Sequence, residues 1–336
     1  MSVRSVTVLG AGSWGTALAL HLSRVGHDVR LWARDAALAG DINARRANAV
    51  YLPDITLPDG VEATNALADA VQGRELIVSA LPSHGCRNVI RSAVPRLASH
   101  AVIVSATKGL EADTLLRMSE VIEQEAGAAH PVVVLSGPSF ALEVAQELPT
   151  AVLAASSNAA AMQLVQHEFR APYFRLYGSD DVAGVEIGGA LKNIIAIAAG
   201  VVEGLGLGHN ALAALITRGL AEVTRVACAA GGRRETLAGL SGLGDLVLTC
   251  TGQLSRNRHV GLELARGRSL PEILAGMKMI AEGVRTTGAA LALGARYGVE
   301  LPIATQMQAV LTGHTDVKTA ITALMLRRQR AEAETL

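Results

Sequence analysis

The stretch "VTVLGAGSWGTALA" at residues 6–19 joins a short apolar run to a glycine-rich loop and then to a helix-forming segment. Gly10, Gly12 and Gly15 form the pattern G-x-G-x-x-G between the two. In such a loop the first glycine permits a tight turn, the second lets the backbone approach a pyrophosphate, and the third lets helix and strand pack closely. The helix N-terminus then offers N–H groups to the phosphate charge. The stretch therefore predicts a dinucleotide site at the start of a βαβ unit.

Short apolar runs alternate with helix-length segments through the first half of the chain. The strand candidates are "SVTVLG", "DVRLWA", "ELIVSAL", "AVIVSA", "PVVVLSG" and "TAVLAAS". Runs of Val, Ile and Leu that are buried on both faces and alternate with helices are typical of a parallel sheet covered on each side. The pattern predicts an α/β fold with a Rossmann-like, doubly wound and mainly parallel sheet.

The pattern changes near residue 180, where strand-like runs stop. Long segments rich in Ala, Leu, Ile and Gly follow at 182–204, 210–231, 258–266, 270–277 and 286–297. Their length and glycine punctuation predict helices. We therefore expect a dinucleotide-binding domain over 1–180 and an all-helical substrate domain over 181–336.

Composition excludes several classes of function. The 336 residues carry 30 basic and 30 acidic side chains, so the chain presents no broad positive field for nucleic acid. The three cysteines are widely spaced, which argues against a disulfide framework or a metal site. No apolar leader precedes a cleavage site, and no uninterrupted apolar segment is long enough to span a bilayer. We expect a cytoplasmic protein without a metal or an integral membrane segment.

The end of the second strand bears on the choice of dinucleotide. NAD-selective sites usually place an acidic residue there for the ribose hydroxyls. Here "RLWARD" places Arg34 near that position, with Asp35 one step later. A guanidinium suits a 2′-phosphate. The sequence favours NADP(H), with NAD(H) use left open, and the alternative is that Arg34 is an ordinary solvated residue.

One lysine is anomalous. The segment "GGALKNIIAIAAG" at 188–200 is small and apolar except for Lys192 and Asn193. No acidic residue lies at helical spacing from Lys192, so no pairing within the helix accounts for its charge. Small neighbours leave room for a ligand to approach the ammonium, whereas the structural alternative is a lysine that extends to water.

Further polar clusters interrupt apolar surroundings. In open α/β sheets ligands bind beyond the carboxyl ends of the strands, and two clusters follow predicted strands. These clusters are Lys108 in "SATKGL" and Gly137 with Ser139 in "SGPSFALE". Two more lie in the helical half, Asp245 in "SGLGDLVLTC" and the group Ser255, Arg256, Asn257 and Arg258 in "SRNRHVG". The last group resembles a phosphate cradle at a helix start, although each cluster also fits an ordinary loop or cap.

Taken together, these blocks resemble the bacterial NAD(P)-dependent glycerol-3-phosphate dehydrogenase family. The matching stretches are "GAGSWGTALA", "YLPDI", "ATKGL", "SGPSFA", "GALKNIIAIAAG", "SGLGDLVLTC", "SRNRHVG" and "EGVRT". They span residues 10–286 in family order. The resemblance implies a Rossmann-like domain followed by an all-helical one. It also implies reversible NAD(P)H-dependent reduction of dihydroxyacetone phosphate to sn-glycerol 3-phosphate, which supplies phospholipid synthesis.

The resemblance also implies site residues. Lys192 would be the general acid/base, and Asp245 would orient and support it. The substrate would be held by Lys108, Gly137, Ser139, Lys192, Asn193, Asp245, Ser255, Arg256 and Asn257. The dinucleotide would be contacted by Gly10, Gly12, Ser13, Trp14, Gly15, Arg34, Tyr51, Lys108, Ala141, Arg256, Ile280 and Glu282. Whether the chain forms a homodimer is left open.

Two other functions fit parts of the sequence. A β-hydroxyacid dehydrogenase would share the architecture and the Lys-Asn helix but would bind a carboxylate rather than a phosphate. A non-catalytic NADP(H) sensor would need the glycine loop but neither Lys192 nor Asp245. The cluster at Ser255–Asn257 favours a phosphate over the carboxylate of the first alternative, and the sensor would not need this cluster either.

Overall fold

The computed structural model describes residues 4–277, 281–329 and 331. The chain forms two compact units. The first runs to Thr107 and resumes over Met118–Val182, whereas the second holds Lys108–Arg117 and the described residues from Ala183 onward. The sequence pattern predicts a single boundary near residue 180. In the structure the short segment Lys108–Arg117, called the excursion below, also belongs to the second unit.

The first unit is built on an eight-stranded sheet with the order β10-β9-β8-β7-β6-β1-β2-β5, beside a two-stranded pair of β3 and β4. All neighbours in the large sheet pair in parallel except β8 and β9, which are antiparallel. The strands are β1 (Ser5–Leu9), β2 (Asp28–Trp32), β3 (Ala47–Asn48), β4 (Leu52–Thr56), β5 (Val61–Thr64), β6 (Leu76–Ser79), β7 (Val102–Ser105), β8 (Val132–Ser136), β9 (Thr150–Ala155) and β10 (Phe174–Ser179).

Helices cover this sheet and make up the second unit. Those of the first unit are α1 (Ser13–Arg24), α2 (Ala36–Arg45), α3 (Leu67–Val71), α4 (Ser83–Ala93), α5 (Met118–Ala126), α6 (Ala141–Ala145) and α7 (Ala159–Glu168), with a 3₁₀ turn at Val94–Arg96. Those of the second are α8 (Val182–Gly204), α9 (Gly208–Ala229), α10 (Arg234–Leu237), α11 (Asp245–Thr251), α12 (Arg256–Ala265), α13 (Leu270–Ala275), α14 (Glu282–Tyr297), α15 (Pro302–Leu311) and α16 (Val317–Met325), with a π-helical turn at Leu240–Gly244.

The predicted fold class is confirmed. Each of the six strand candidates contains a strand of the sheet, and the central strands β6, β7 and β8 are buried along their whole length. The strand pattern predicts neither the short pair β3 and β4, nor the edge strand β5, nor the opposite edge strand β10. Only Phe174 within it is fully buried, so it lacks the continuous apolar run that marks a central strand.

The second unit is organised around α8. Residues 184–202 of this helix are all buried, and the helix is long and apolar enough to cross a membrane by length and composition. Its apolar surface is instead covered by protein, since its most apolar window lies entirely inside the fold. The core around it is contributed by α9, α11, α12, α14 and α15. Helix α8 is therefore the central helix of this core.

The excursion Lys108–Arg117 joins the second unit because its side chains are bound there. Leu110 is buried in the core of that unit. The Arg117 guanidinium donates to the Glu186 carboxylate on α8 at 2.9 Å, and the Lys108 ammonium donates to Asp245 at 2.5 Å. These partners are distant in sequence, so the strand-and-helix pattern could not assign the excursion.

Glycines let α8 and α12 meet backbone to backbone. A Cβ on Gly200 would lie 1.9 Å from the carbonyl oxygen of Arg258, and one on Gly261 would lie 1.9 Å from that of Ile197. One turn further, a Cβ on Gly204 would lie 2.5 Å from that of Ala265. No larger residue fits at Gly200 or Gly261 without moving a helix, so these glycines set the distance between the two helices.

This contact predicts the effect of one added methyl group. Gly200→Ala should destabilise the second unit by about 2 kcal/mol or more, because the methyl meets backbone that cannot rotate away. Gly288→Ala is the matched control, since a Cβ at that exposed position of α14 meets nothing within 4 Å. It should be neutral or slightly stabilising through helix propensity. Thermal and urea unfolding measure both variants, and equal stability would contradict the close contact.

Candidate functional site

Of the three glycines in the loop between β1 and α1, only Gly12 leaves space for a ligand. Gly10 has φ +109°, and a Cβ there would lie 2.7 Å from the Ala80 carbonyl oxygen. A Cβ on Gly15 would lie 1.8 Å from the Gly10 carbonyl oxygen. A Cβ on Gly12 would meet no atom within 4 Å. Tight packing thus requires glycine at positions 10 and 15, whereas Gly12 borders an open space into which a pyrophosphate would fit.

Contacts from the segment after α2 hold this loop. Asn48 is buried, and its Nδ2 donates to the Ala11 carbonyl oxygen at 2.9 Å and to Thr16 Oγ1 at 2.8 Å. The Ser13 hydroxyl donates to the Tyr51 carbonyl oxygen at 2.6 Å. Tyr51 therefore touches the loop through its backbone. The cap residue of α1 is Gly12, which has no side chain to cap the helix, so this end suits an anionic group.

Arg34 follows β2 and is exposed, as a side chain that reaches for a 2′-phosphate must be. Its acidic neighbour Asp35 is engaged elsewhere. Asp35 is the N-cap of α2, where its carboxylate accepts from the Ala37 N–H at 2.8 Å. One oxygen of this carboxylate is thus engaged at the helix start, and Arg34 is the exposed cation at the end of β2.

Three other predicted residues follow β8. Gly137 has φ +134°, and a Cβ on it would lie 3.0 Å from Val152 Cα on β9. The Ser139 hydroxyl donates to the Gly137 carbonyl oxygen at 3.0 Å, and Ala141 begins α6. Trp14 on α1 is partly buried against the core of the first unit. These four residues and the glycine loop all belong to the first unit.

The second unit brings Lys108, Lys192 and Asp245 together. Lys192 Nζ donates to Asp245 Oδ1 at 2.5 Å, and Lys108 Nζ donates to Asp245 Oδ2 at 2.5 Å. One carboxylate thus bridges two ammonium groups. Lys192 Nζ also donates to Thr249 Oγ1 at 2.5 Å, and the Thr249 hydroxyl donates to the Asp245 carbonyl oxygen at 2.6 Å. Two side chains of α11, those of Asp245 and Thr249, thus hold the Lys192 ammonium group.

Burial and neighbouring charges together set the pKa values of Lys192 and Asp245. The Lys192 side chain is 7% exposed, and desolvation lowers its pKa from 10.5 to about 8 against the attraction of Asp245. Burial alone would raise the pKa of Asp245, but the ammonium groups of Lys108 and Lys192 outweigh it and hold this pKa below its ordinary value. Lys192 can therefore exchange a proton near neutral pH while Asp245 stays ionised.

One neighbour of the cluster, Cys250, is neutral. Cys250 follows Thr249 on α11, and burial raises the pKa of its thiol to about 12, so it stays protonated. Among the residues that the structure describes, no group of three or more His, Cys, Asp or Glu side chains is placed to hold a metal ion.

The predicted phosphate cluster starts α12. Ser255 is the N-cap of this helix, and its hydroxyl oxygen accepts from the Arg258 N–H at 3.2 Å. Arg256 is exposed, whereas Arg258 is buried and makes a bidentate ion pair with Glu203 on α8. Asn257 is buried, and its Oδ1 accepts from the Gly283 N–H at 3.0 Å. Arg258 is therefore structural, and Arg256 and Asn257 remain as donors for an anion.

Asn193 and Glu282 complete the predicted set in this unit. Asn193 is buried beside Lys192 on α8, and Glu282 begins α14, one residue before Gly283. Ile280, a predicted dinucleotide contact, lies outside the described residues. The second unit thus assembles Lys108, Lys192, Asn193, Asp245, Ser255, Arg256, Asn257 and Glu282 from the excursion and from α8, α11, α12 and α14.

Two residues outside the predicted set, Thr249 and Asn48, also contact these sites. Thr249 stands one helical turn after Asp245, so helical spacing could have indicated that both face Lys192. Asn48 has no such indication, because it contacts a loop more than thirty residues earlier. Both side chains hold a group that the sequence did single out.

The bridging carboxylate predicts a large and recoverable loss of stability. Asp245→Asn keeps the shape but leaves Lys192 buried without a counter-charge, which should cost about 3–5 kcal/mol in the free energy of unfolding. Adding Lys192→Met should restore part of this loss, because the buried charge is then removed as well. Unfolding of the two single variants and of the double variant at pH 7 is the measurement. Simple addition of the two single effects would contradict the pairing.

Comparison with known proteins gives a consistent result along the chain. Residues 5–162 match the family model described as NAD-dependent glycerol-3-phosphate dehydrogenase N-terminus, and residues 181–322 match the corresponding C-terminus model. A glycerol-3-phosphate dehydrogenase [NAD(P)+] from Koribacter versatilis is 53% identical over 331 residues, which cover 97% of this chain and 98% of the relative.

Solved structures of glycerol-3-phosphate dehydrogenases also superpose on this chain. Glycerol-3-phosphate dehydrogenase from Coxiella burnetii superposes with a TM-score of 0.93 at 41% identity, covering 97% of this chain and 99% of that one. The Saccharomyces cerevisiae enzyme gives 0.81 at 29% identity, covering 96% and 99%. A ketopantoate reductase from Ralstonia eutropha, at 17% identity and a TM-score of 0.60 over 91% and 97%, shares the fold alone.

Proposed function

The chain belongs to the NAD-dependent glycerol-3-phosphate dehydrogenase family, and on that premise we propose that Lys192 is the general acid/base of its reaction and Asp245 its electrostatic support. The activity is the NAD(P)H-dependent reduction of dihydroxyacetone phosphate to glycerol 3-phosphate. The observation that carries the proposal is the buried contact of Lys192 Nζ with Asp245 Oδ1 and Thr249 Oγ1.

The proposed role of Lys192 is to move one proton. When bound, the reduced dinucleotide supplies the hydride that reaches C2 of the substrate. Protonated Lys192 gives its proton to the C2 oxygen as negative charge develops there, and neutral Lys192 removes the hydroxyl proton in the reverse direction. A pKa of about 8 keeps both forms accessible near neutral pH, which general acid/base catalysis requires. Asp245 and Thr249 fix the direction in which Nζ points.

The substrate phosphate is the proposed ligand of the α12 start. Arg256 supplies a guanidinium and Asn257 an amide donor, while the Ser255 cap shapes the turn. Lys108 and Asn193 are proposed to bind the reacting end of the substrate, and Gly137 and Ser139 to give further contacts. Binding energy from the phosphate can then hold the ketone against Lys192, because a remote group contributes to positioning at the reacting centre.

The glycine loop is the proposed pyrophosphate site, with Gly10, Gly12, Ser13, Trp14 and Gly15 around it. The open space at Gly12 and the uncapped start of α1 support this assignment. The remaining proposed dinucleotide contacts are Tyr51, Lys108, Ala141, Arg256, Ile280 and Glu282. Arg34 is proposed to bind a 2′-phosphate, which would favour NADP(H) while leaving NAD(H) usable.

The cellular role belongs to the same proposal. A cytoplasmic enzyme of this activity would supply the phosphorylated glycerol backbone of phospholipids. The sequence leaves open whether the chain forms a homodimer, and light scattering of the purified chain distinguishes monomer from dimer.

One experiment tests the reaction and the competing carboxylate chemistry together. Oxidation of NADPH and of NADH is followed in parallel with dihydroxyacetone phosphate and with a panel of hydroxyacid precursors. We expect turnover with the phosphorylated ketone and with none of the precursors. Turnover of a hydroxyacid precursor alone would reject the substrate, and tight NADPH binding without any turnover would indicate a sensor.

Replacing the proton donor should separate chemistry from dinucleotide binding. Lys192→Met should lower kcat by about 10²-fold or more, because general acid catalysis contributes rate enhancements of this order. NADPH affinity, followed by fluorescence titration, should stay within about two-fold, since the glycine loop is unchanged. Normal turnover of this variant would remove Lys192 from the mechanism.

The pH profile should report Lys192 directly. The proton donor must be protonated, so kcat/KM for reduction should fall as pH rises through about 8, and the oxidation of glycerol 3-phosphate should rise over the same range. Asp245→Asn removes an attraction that raises the pKa of Lys192, and both limbs should therefore move to lower pH. A shift to higher pH would contradict the assigned role of Asp245.

Cofactor choice should depend on one exposed guanidinium. Arg34→Ala should raise KM for NADPH by about ten-fold through loss of a charge-assisted contact, and should leave KM for NADH within about two-fold. Arg45→Ala, which removes an exposed guanidinium at the end of α2, is the control and should change neither value. Equal losses with both dinucleotides would defeat the 2′-phosphate assignment.

A further inference from the structure

Gly283, at the start of α14, contacts two residues that the proposed function assigns to substrate. Its N–H donates to Asn257 Oδ1 at 3.0 Å in a buried hydrogen bond. A Cβ on Gly283 would lie 2.7 Å from the Asn193 carbonyl oxygen and 2.8 Å from Asn257 Oδ1. Three elements, α8, α12 and α14, therefore meet at a position that has no room for a side chain.

This hydrogen bond decides which way the Asn257 amide faces. An asparagine amide carries an acceptor oxygen on one side and two N–H donors on the other. Because Oδ1 is directed at the Gly283 N–H, Nδ2 is directed away from it. No hydrogen bond among the described residues engages Nδ2 of Asn257, although the residue is only 8% exposed. The donor side of a nearly buried amide is thus available.

The orientation of the Asn257 amide affects binding because the proposed ligand is an anion. A phosphate offers only acceptor oxygens, so Nδ2 attracts it and Oδ1 repels it. A flipped amide would turn one favourable contact into an unfavourable one. A flip would place the donor Nδ2 against the Gly283 N–H. That buried N–H would then lose its acceptor, which is energetically unfavourable.

We propose that Gly283 is a positioning residue that holds the donor side of the Asn257 amide toward the substrate phosphate. The inference rests on the proposed function, in which Asn257 binds that phosphate. Gly283 itself touches no substrate in this assignment. The competing explanation is that Gly283 serves only the close packing of α14 on α8, through the short approach to the Asn193 carbonyl oxygen.

A matched pair of glycine substitutions on one helix tests the position. Gly283→Ala should raise KM for dihydroxyacetone phosphate by about ten-fold or more at saturating NADPH, with kcat within about three-fold. Gly288→Ala lies on the same helix, where a Cβ meets nothing within 4 Å, and should leave both constants within two-fold. Unchanged KM in folded Gly283→Ala would overturn the proposal.

The double variant separates positioning from packing. If Gly283 acts through Asn257, then KM of Gly283→Ala/Asn257→Ala should stay within about two-fold of Asn257→Ala alone. Effects that multiply would show that the methyl acts by displacing α8, and would overturn the proposal. Should Asn257→Ala leave KM unchanged, the phosphate assignment of the proposed function fails instead, whatever Gly283→Ala does.

Asn257→Asp tests the orientation without touching the glycine. Its carboxylate still accepts from the Gly283 N–H but places a negative oxygen where Nδ2 stood. We expect its Tm to stay within about 2 °C of the parent, whereas Asn257→Ala loses the hydrogen bond and should lie lower. Its KM should exceed that of Asn257→Ala. A KM equal to or below that of Asn257→Ala would overturn the proposed orientation, even if Gly283→Ala fails to fold.

Discussion

The second unit depends on a single carboxylate placed between two ammonium groups. Asp245 is almost wholly buried, and it accepts from Lys192 on one oxygen and from Lys108 on the other. Two buried or half-buried cations this close would repel each other without it. The carboxylate also brings the excursion after β7 onto the helical core. The ion cluster of Lys108, Lys192 and Asp245 therefore stabilises the packing of this unit and influences the pKa of Lys192.

Glycine is the second constraint, and it acts by the same means in both units. In the first, Gly15 lets α1 approach the loop that leaves β1. In the second, Gly200 and Gly261 let α8 and α12 touch, and Gly283 brings α14 onto both. These contacts bring together the helices that carry Lys192, Asn257 and Glu282. Tight backbone packing thus sets the dimensions of the proposed site.

Much of the fold follows from local sequence, and so do the identities of the main polar groups. The six apolar runs predict the central strands because strands buried on both faces need continuous apolar side chains. The same reasoning misses β10, where exposed Arg175 and half-buried neighbours break the run at a sheet edge. Lys192 stands out because a cation in an apolar helix needs a partner, but the partner is Asp245, fifty-three residues away.

The sequence by itself determined the class of sheet, the glycine loop, the central helix and the fact that Lys192 requires explanation. These features depend on periodicity and on residue chemistry, which are local. Only the tertiary structure decided that Lys108 belongs with the helical unit, that Arg258 pairs with Glu203, and that Asn48 contacts the glycine loop. Such pairings depend on how distant segments pack, and no local pattern encodes the direction in which a side chain finally points.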